Sequence, residues 1–308
     1  MSSADPAPRP DDPVPAGAVV AGLDGSDRDT TVLEFAAGAA TRARHPLHLL
    51  HAHEMGGELL AADAPALGGI LTLGPGAGLA DDDILESTLA EAHSRWPELP
   101  ITGSQPWDRP ERALVDASRG AYLVVVGAEP RRGLDRLLLG RSSLATAMHA
   151  DCPVVVIPEG VRTGPEGPVV VGVDGSAHSR AAAERALWIA GVRGTSAVVV
   201  VAWYLEMVDG VVVTTPGTPE WDTVTARYRA MAESVLEPLR ERYPDVPVEV
   251  RVVRGPAAPT LVEQAVDAGL VVVGSRGRGG FAGMLLGSVS QQILETAPCP
   301  VMVIRAPR

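Results

Sequence analysis

Short apolar runs alternate along the chain with segments that have the period of an amphipathic helix. In the second half, Val-rich runs occupy residues 168–173, 197–202, 270–273 and 300–304, and a run of alternating valines spans 248–252. Helical patterns cover residues 179–190, 220–242, 257–267 and 288–296. Apolar strands that alternate with helices are typical of a parallel sheet covered on both faces. The pattern predicts a five-stranded, doubly wound α/β domain, which binds ligands at the carboxyl ends of its strands.

The same pattern occurs twice. Residues 18–26 read AVVAGLDGS and residues 168–176 read PVVVGVDGS; LVVVG recurs at 123–127 and 270–274, and CPV recurs at 152–154 and 299–301. The repeat predicts a disordered tail (residues 1–15), a first domain (16–158), a linker (159–168) and a second domain (169–308). Cys152 and Cys299 fall at equivalent positions, which indicates small core residues and not a disulfide.

Composition excludes several classes of protein. The 26 basic residues among 308 are all arginine, so a Walker A loop, a protein kinase and a Schiff-base enzyme are excluded, because each requires a lysine. A net charge of −12 argues against nucleic-acid binding and against binding to anionic membranes. No apolar run approaches the length of a membrane span, and two cysteines without a secretion signal indicate the cytoplasm.

The connection after the fourth apolar run of the second half is rich in glycine. Gly274 and Gly277 allow a close approach of the backbone to a ligand, and Gly287 precedes a predicted helix whose N-terminus favours an anion. Further donors and charges in this segment come from Ser288, Ser290, Arg276 and Arg278. Asp174 follows the first strand of the repeat, where its carboxylate can accept hydrogen bonds from a base or a sugar. The plain alternatives are an ordinary flexible loop and a turn-forming aspartate.

The spacing of Gly274, Gly277, Gly287 and Ser288 resembles the nucleotide-binding signature of the universal stress protein family. The opening GVDGS and the closing CPVMVI are also similar to that family, and the likeness covers nearly the whole chain, twice. The resemblance implies two tandem Rossmann-like domains of strand order 3-2-1-4-5 that bind ATP, with or without Mg²⁺.

The resemblance also implies roles for individual residues of the second repeat. Asp174 would recognise adenine with Val173 beside it, and the backbone of Ala202 would touch the base. Val273 and Gly274 would flank the ribose. The phosphates would be held by Gly277, Gly287, Ser288, Val289 and Ser290.

The first repeat departs from the signature. Pro130 replaces the middle glycine, which removes an N–H donor and fixes φ, and Arg141 replaces the serine after the third glycine. Arg131, Arg132 and Arg141 could still supply positive charge to a phosphate. The remaining candidates for nucleotide binding are Asp24, Ala52, Gly127, Gly140 and Ser143. We expect weaker or altered binding in this repeat, with a degenerate structural role as the alternative.

The leading hypothesis is an ATP-binding stress-response regulator and not a dedicated enzyme, although slow ATP hydrolysis is compatible with it. The alternatives are a nucleotide-dependent transferase or hydrolase and a scaffold that binds no nucleotide. No metal site is predicted, because the alternation of a strand separates His48 from His51 and His53. The resemblance implies that segments 153–157 and 300–304 pair, within the chain as a pseudo-dimer or between chains as a homodimer. The sequence does not identify a downstream protein partner.

Overall fold

The computed structural model describes residues 12–53, 82–128, 140–161, 167–204, 207–208, 210–212, 215–279 and 284–306. The chain divides into two compact units, residues 1–125 and 126–308. The predicted tail and the segment between residues 54 and 81 lie almost wholly outside the described residues, as do Pro130, Arg131 and Arg132. The boundaries proposed from the repeats stay a prediction.

The first unit alternates strands and helices. Its elements are β1 (Val19–Leu23), α1 (Asp29–Ala43), β2 (Leu47–His51), α2 (Asp82–Arg95), β3 (Ile101–Ser104), α3 (Pro110–Ala117) and the start of β4 (Leu123–Gly127). The strands run parallel in the order β3-β2-β1-β4, with Val19 opposite both Leu47 and Leu123. The described helix, strand and core residues therefore agree with a doubly wound domain.

The second unit holds the end of β4 and the whole second repeat. Its elements are α4 (Arg141–His149), β5 (Val154–Ile157), β6 (Val169–Gly172), α5 (Ala177–Arg193), β7 (Ala197–Trp203), β8 (Met207–Val208), β9 (Val211–Val212), α6 (Pro219–Arg242), β10 (Val248–Arg254), α7 (Ala257–Gln264), β11 (Leu270–Gly274), α8 (Ser288–Thr296) and β12 (Val301–Ile304). The main sheet of the repeat has the order β10-β7-β6-β11-β12, which is 3-2-1-4-5.

The predicted helices begin and end for local reasons. Ser176 caps α5 by accepting a hydrogen bond from the Ser179 N–H at 3.2 Å, and Gly194 ends the helix in the left-handed region at φ 66°. Thr218 caps α6 in the same way, with Pro219 at the first position of the helix. The predicted apolar face of α5 is buried, including Ala183, Ala186, Leu187 and Ala190.

One prediction about the sheet needs correction. The sheet of the second repeat does not stop after five parallel strands, because β12 pairs antiparallel with β5, with Met302 opposite Val155. Both strands are entirely apolar and buried, so pairing satisfies their backbone groups without exposing an edge. The expected pairing of the closing strands thus occurs within one chain, and a homodimer stays a prediction. None of the helices in the described part of the chain could cross a membrane.

Candidate functional site

A cavity of about 370 Å³ lies at the carboxyl ends of β6, β7 and β11, beside the N-terminus of α8. The structure brings together around it every residue predicted from the second repeat: Val173, Asp174, Ala202, Val273, Gly274, Gly277, Gly287, Ser288, Val289 and Ser290. The position agrees with the rule that open α/β sheets bind ligands beyond their strand ends. Contact of these residues with a nucleotide stays a prediction.

Asp174 connects the first strand of the repeat to the glycine-rich loop. Its carboxylate accepts a hydrogen bond from the Ser176 N–H at 2.9 Å and another from the Arg278 N–H at 2.8 Å. Burial acts to raise the pKa of this carboxyl, but hydrogen bonds from Ser176, Arg278 and Ser179 outweigh it, so the pKa lies below its ordinary value. Asp174 is therefore a half-buried anion in the lining of the cavity.

Two glycines are required by close contacts in this loop. A Cβ added to Gly277 would lie 2.5 Å from the Oδ2 atom of Asp174, and one added to Gly274 would lie 2.7 Å from the Cβ atom of His178. Neither position has room for a side chain without movement of the carboxylate or of the start of α5. The glycines thus let the loop pack directly against Asp174 and His178.

The N-terminus of α8 is fastened to the end of β11. The Gly287 N–H donates to the Ser275 carbonyl at 2.7 Å, and the Ser290 hydroxyl donates to the Gly274 carbonyl at 2.6 Å. The hydroxyl proton of the buried Ser290 is used in this bond, so the hydroxyl holds the start of the helix to the strand end, and its contact with a phosphate stays a prediction. Ser288 is exposed at the first turn of the helix, where N–H groups favour an anion.

Two arginines give the cavity a positive rim. Arg276 and Arg278 both line it, and the Nη2 atom of Arg276 lies 3.2 Å from the Nε2 atom of His178. Because a guanidinium only donates, His178 accepts this bond in its neutral form. Burial, together with the charges of Arg276 and Arg305, lowers the pKa of His178 below its ordinary value.

Sequence reasoning missed the cavity residues that lie outside the motif. Tyr228 comes from α6, and Ala257 and Leu261 come from α7. Ser179 also lines the cavity, and its hydroxyl accepts a hydrogen bond from the Asp174 N–H at 3.3 Å. Helix positions of this kind carry no spacing signal, because the rotation of a helix against a sheet decides which side chains face the ligand.

Residues predicted from the first repeat fall in both compact units. In the first unit, Asp24 forms an ion pair with Arg28 at 2.6 Å, and its N–H donates to the Asp29 carboxylate at 3.1 Å. Burial, together with the charge of Asp24, raises the pKa of Asp29 to about 6. Ala52 is buried directly after β2.

In the second unit, the Ser143 hydroxyl donates to the Gly127 carbonyl at 2.6 Å, the same bond that Ser290 makes to Gly274. Gly140 is buried and precedes α4, and Arg141 is exposed at the first turn of that helix. The repeats therefore share the fastening of the loop to the helix but differ around the aspartate. No group of three or more metal-ligating side chains occurs among the residues that the structure describes.

Comparison with known proteins finds the same family in both repeats. The model of the universal stress protein family matches residues 17–158 and again residues 167–305. A universal stress protein of Mycolicibacterium smegmatis is 42% identical over 196 residues, covering 63% of this chain and 65% of its own length. One from Mycobacterium tuberculosis is 34% identical over 297 residues, covering 93% of this chain and 96% of its own length.

A crystal structure of a universal stress protein from Archaeoglobus fulgidus has the same fold. It is 18% identical, covers 94% of this chain and 96% of its own length, and superposes with a TM-score of 0.65. Two family matches in one chain, together with the doubly wound topology, show that the chain belongs to the universal stress protein family in its tandem two-domain form.

Proposed function

We propose that the second repeat binds ATP and that the protein acts as a nucleotide-responsive stress regulator in the cytoplasm. The observation that supports this most is the convergence of Asp174, the glycine-rich loop and the start of α8 on one cavity. A carboxylate and a helix N-terminus with backbone N–H groups and arginines, all around one cavity, suit a base and a polyphosphate.

The subsites follow from the chemistry of the lining residues. The carboxylate of Asp174, which accepts hydrogen bonds, suits the exocyclic amino group of adenine, and Ala202 also lines the cavity. The phosphates would meet the N–H groups of the α8 start, the Ser288 hydroxyl and the guanidinium of Arg276. Mg²⁺ usually binds through substrate phosphates with few protein oxygens, and here it would neutralise phosphate charge beside Ser288.

We propose binding and signalling in preference to catalysis, because among the described residues that line the cavity none is a histidine and Asp174 is the one carboxylate. A general acid–base pair needs a second titrating group within reach of the substrate. Turnover well below about 1 s⁻¹ is expected, since that value is the low end for dedicated enzymes. Faster turnover would favour the transferase or hydrolase reading.

The decisive experiment identifies the nucleotide that the purified protein carries. The protein is denatured, the supernatant is analysed by chromatography and mass spectrometry, and ATP binding is measured by calorimetry. Asp174→Ala and Gly277→Pro should both weaken ATP binding at least tenfold, whereas the exposed Asp222→Ala on α6 should not. A wild-type protein that carries no adenine nucleotide and binds none would support a non-binding scaffold and end this proposal.

A further inference from the structure

Aromatic side chains are scarce in this chain, at 4% of its residues, yet three of them form a cluster beside the cavity. The rings of Trp203 and Tyr228 are nearly parallel, with centroids 6.4 Å apart, and Trp221 meets Trp203 edge-on at 5.0 Å. Trp203 is buried, and Trp221 and Tyr228 pack against it. Among the residues that line the described cavity, Tyr228 is the aromatic one.

Two positions connect the cluster to the residues predicted to bind the base. Trp203 directly follows Ala202, which lines the cavity. Three residues beyond Tyr228 on α6, the Sδ atom of Met231 lies 3.2 Å from the position that a Cβ on Gly175 would take. Because Gly175 is the neighbour of Asp174, this part of α6 runs alongside the predicted base subsite.

The Tyr228 ring has an aromatic neighbour and a cationic neighbour, Trp203 and Arg227. Trp203 belongs to β7, and the guanidinium carbon of Arg254 lies 5.9 Å from the centre of its ring. The guanidinium carbon of Arg227 lies 5.2 Å from the centre of the Tyr228 ring. Arginine beside an aromatic ring is a favourable arrangement that limits ring movement. An aromatic side chain held in this way loses little conformational freedom when a ligand binds.

We propose that Tyr228 is a specificity-determining residue that contacts the base of the bound nucleotide, so that the site selects ligands with an aromatic base over polyphosphate alone. The inference rests on the proposed nucleotide binding by the second repeat. Aromatic side chains add affinity for nucleobases in a way that tolerates base identity, because every base has a π system. In this proposal Asp174 distinguishes one base from another, while Tyr228 favours any ligand that has an aromatic base.

The test compares two ligands on four variants. Binding of ATP and of inorganic tripolyphosphate is measured by calorimetry, or by competition with a fluorescent ATP analogue, on Tyr228→Ala, Tyr228→Leu, Tyr228→Phe and the control Tyr204→Ala. Tyr204 is exposed at the end of β7 and does not line the cavity. Tyr228→Ala and Tyr228→Leu should weaken ATP binding about tenfold and leave tripolyphosphate unchanged, whereas Tyr228→Phe and Tyr204→Ala should stay within about twofold.

The outcomes separate this inference from the proposed function. A wild-type protein that binds ATP, with Tyr228→Ala and Tyr228→Leu binding it equally well, would overturn the role of Tyr228 alone. Equal losses for ATP and tripolyphosphate would also overturn it, because they would indicate a general disturbance of the cavity. Failure of the wild-type protein to bind ATP would remove the proposed function and this inference together. Thermal unfolding of each variant shows whether it is folded.

Discussion

Asp174 and Asp24 occupy equivalent positions of the two repeats, and each accepts a hydrogen bond from the N–H of the serine two residues on, but their other described partners differ. Asp174 accepts a backbone hydrogen bond from Arg278 of the glycine-rich loop, whereas Asp24 is ion-paired with the side chain of Arg28. The residue equivalent to Arg28 is His178, which bonds to Arg276 instead. The side chain four residues after the aspartate is therefore its ion-pair partner in the first repeat and is bonded to an arginine of the glycine-rich loop in the second.

Adding one methyl group at Gly277 tests the close contact between the glycine-rich loop and Asp174. Gly277→Ala would bring a Cβ within 2.5 Å of the Asp174 carboxylate, so we expect ATP affinity to fall about tenfold and the protein to lose about 1 kcal/mol of stability. The matched control is Gly279→Ala, because Gly279 also lines the cavity but a Cβ there meets no atom of the described residues within 4 Å. Calorimetry and urea denaturation measure both quantities, and equal effects of the two substitutions would contradict the contact.

Asp29 predicts a pH dependence of stability. Its folded-state pKa is raised to about 6 from an ordinary 3.8, so the folded state binds a proton more tightly than the unfolded state. This contribution is present below about pH 4 and is lost as the pH rises through about 6. The free energy of unfolding of Asp29→Asn should therefore gain on that of the wild type between pH 4 and pH 7. Urea denaturation across this range checks it, and a constant difference would argue against the raised pKa.

At the scale of elements, the strand–loop–helix connection after the fourth strand is built alike in both repeats. A serine hydroxyl in the first turn of the helix donates to the carbonyl of the glycine that ends the strand, from Ser290 to Gly274 and from Ser143 to Gly127. This bond holds the helix N-terminus near the strand end whether or not the loop keeps its glycines. This bond explains why the first repeat has Ser143 although other residues of its nucleotide-binding signature differ.

The two serines provide a paired prediction. Ser290→Ala and Ser143→Ala each leave a glycine carbonyl without its donor, so each should lower the free energy of unfolding by about 1 to 3 kcal/mol. Only Ser290→Ala should weaken ATP binding, because it also loosens the helix start that faces the cavity. Denaturant unfolding and calorimetry on both variants make the comparison. Loss of ATP affinity in Ser143→Ala would mean that the first repeat contributes to binding.

Strands and motif residues were predictable, and helix-borne residues of the site were not. Val-rich runs define the strands because a doubly covered strand is apolar on both faces, and the motif is attached to strand ends, so Asp174 and Gly277 could be found from spacing. Tyr228 and Leu261 depend on how α6 and α7 rotate against the sheet, which tertiary packing decides. The hydrogen bond from the Ser290 hydroxyl to the Gly274 carbonyl could not be predicted either, because spacing along the chain does not show which carbonyl lies within reach.

At the scale of the whole molecule, the two repeats should differ in nucleotide binding. We expect calorimetry to show one tight ATP site per chain, because the first repeat has Pro130 and Arg141 in its signature and its Asp24 is paired with Arg28. Asp174→Ala should abolish the tight site, and Asp24→Ala should leave it within about twofold of wild type. Two sites of equal affinity, or an equal effect of the two substitutions, would contradict this asymmetry.

The antiparallel pairing of β5 with β12 has a consequence for assembly. Covalent linkage keeps two closing strands at an effective concentration on the order of millimolar, far above the concentration of a separate chain in a cell. A chain paired in this way has little opportunity to exchange subunits with related single-domain proteins. Because the two closing strands belong to one polypeptide, their pairing does not depend on two chains meeting. One repeat can therefore lose its ligand-binding residues during evolution and still supply the strand that pairs with the other repeat.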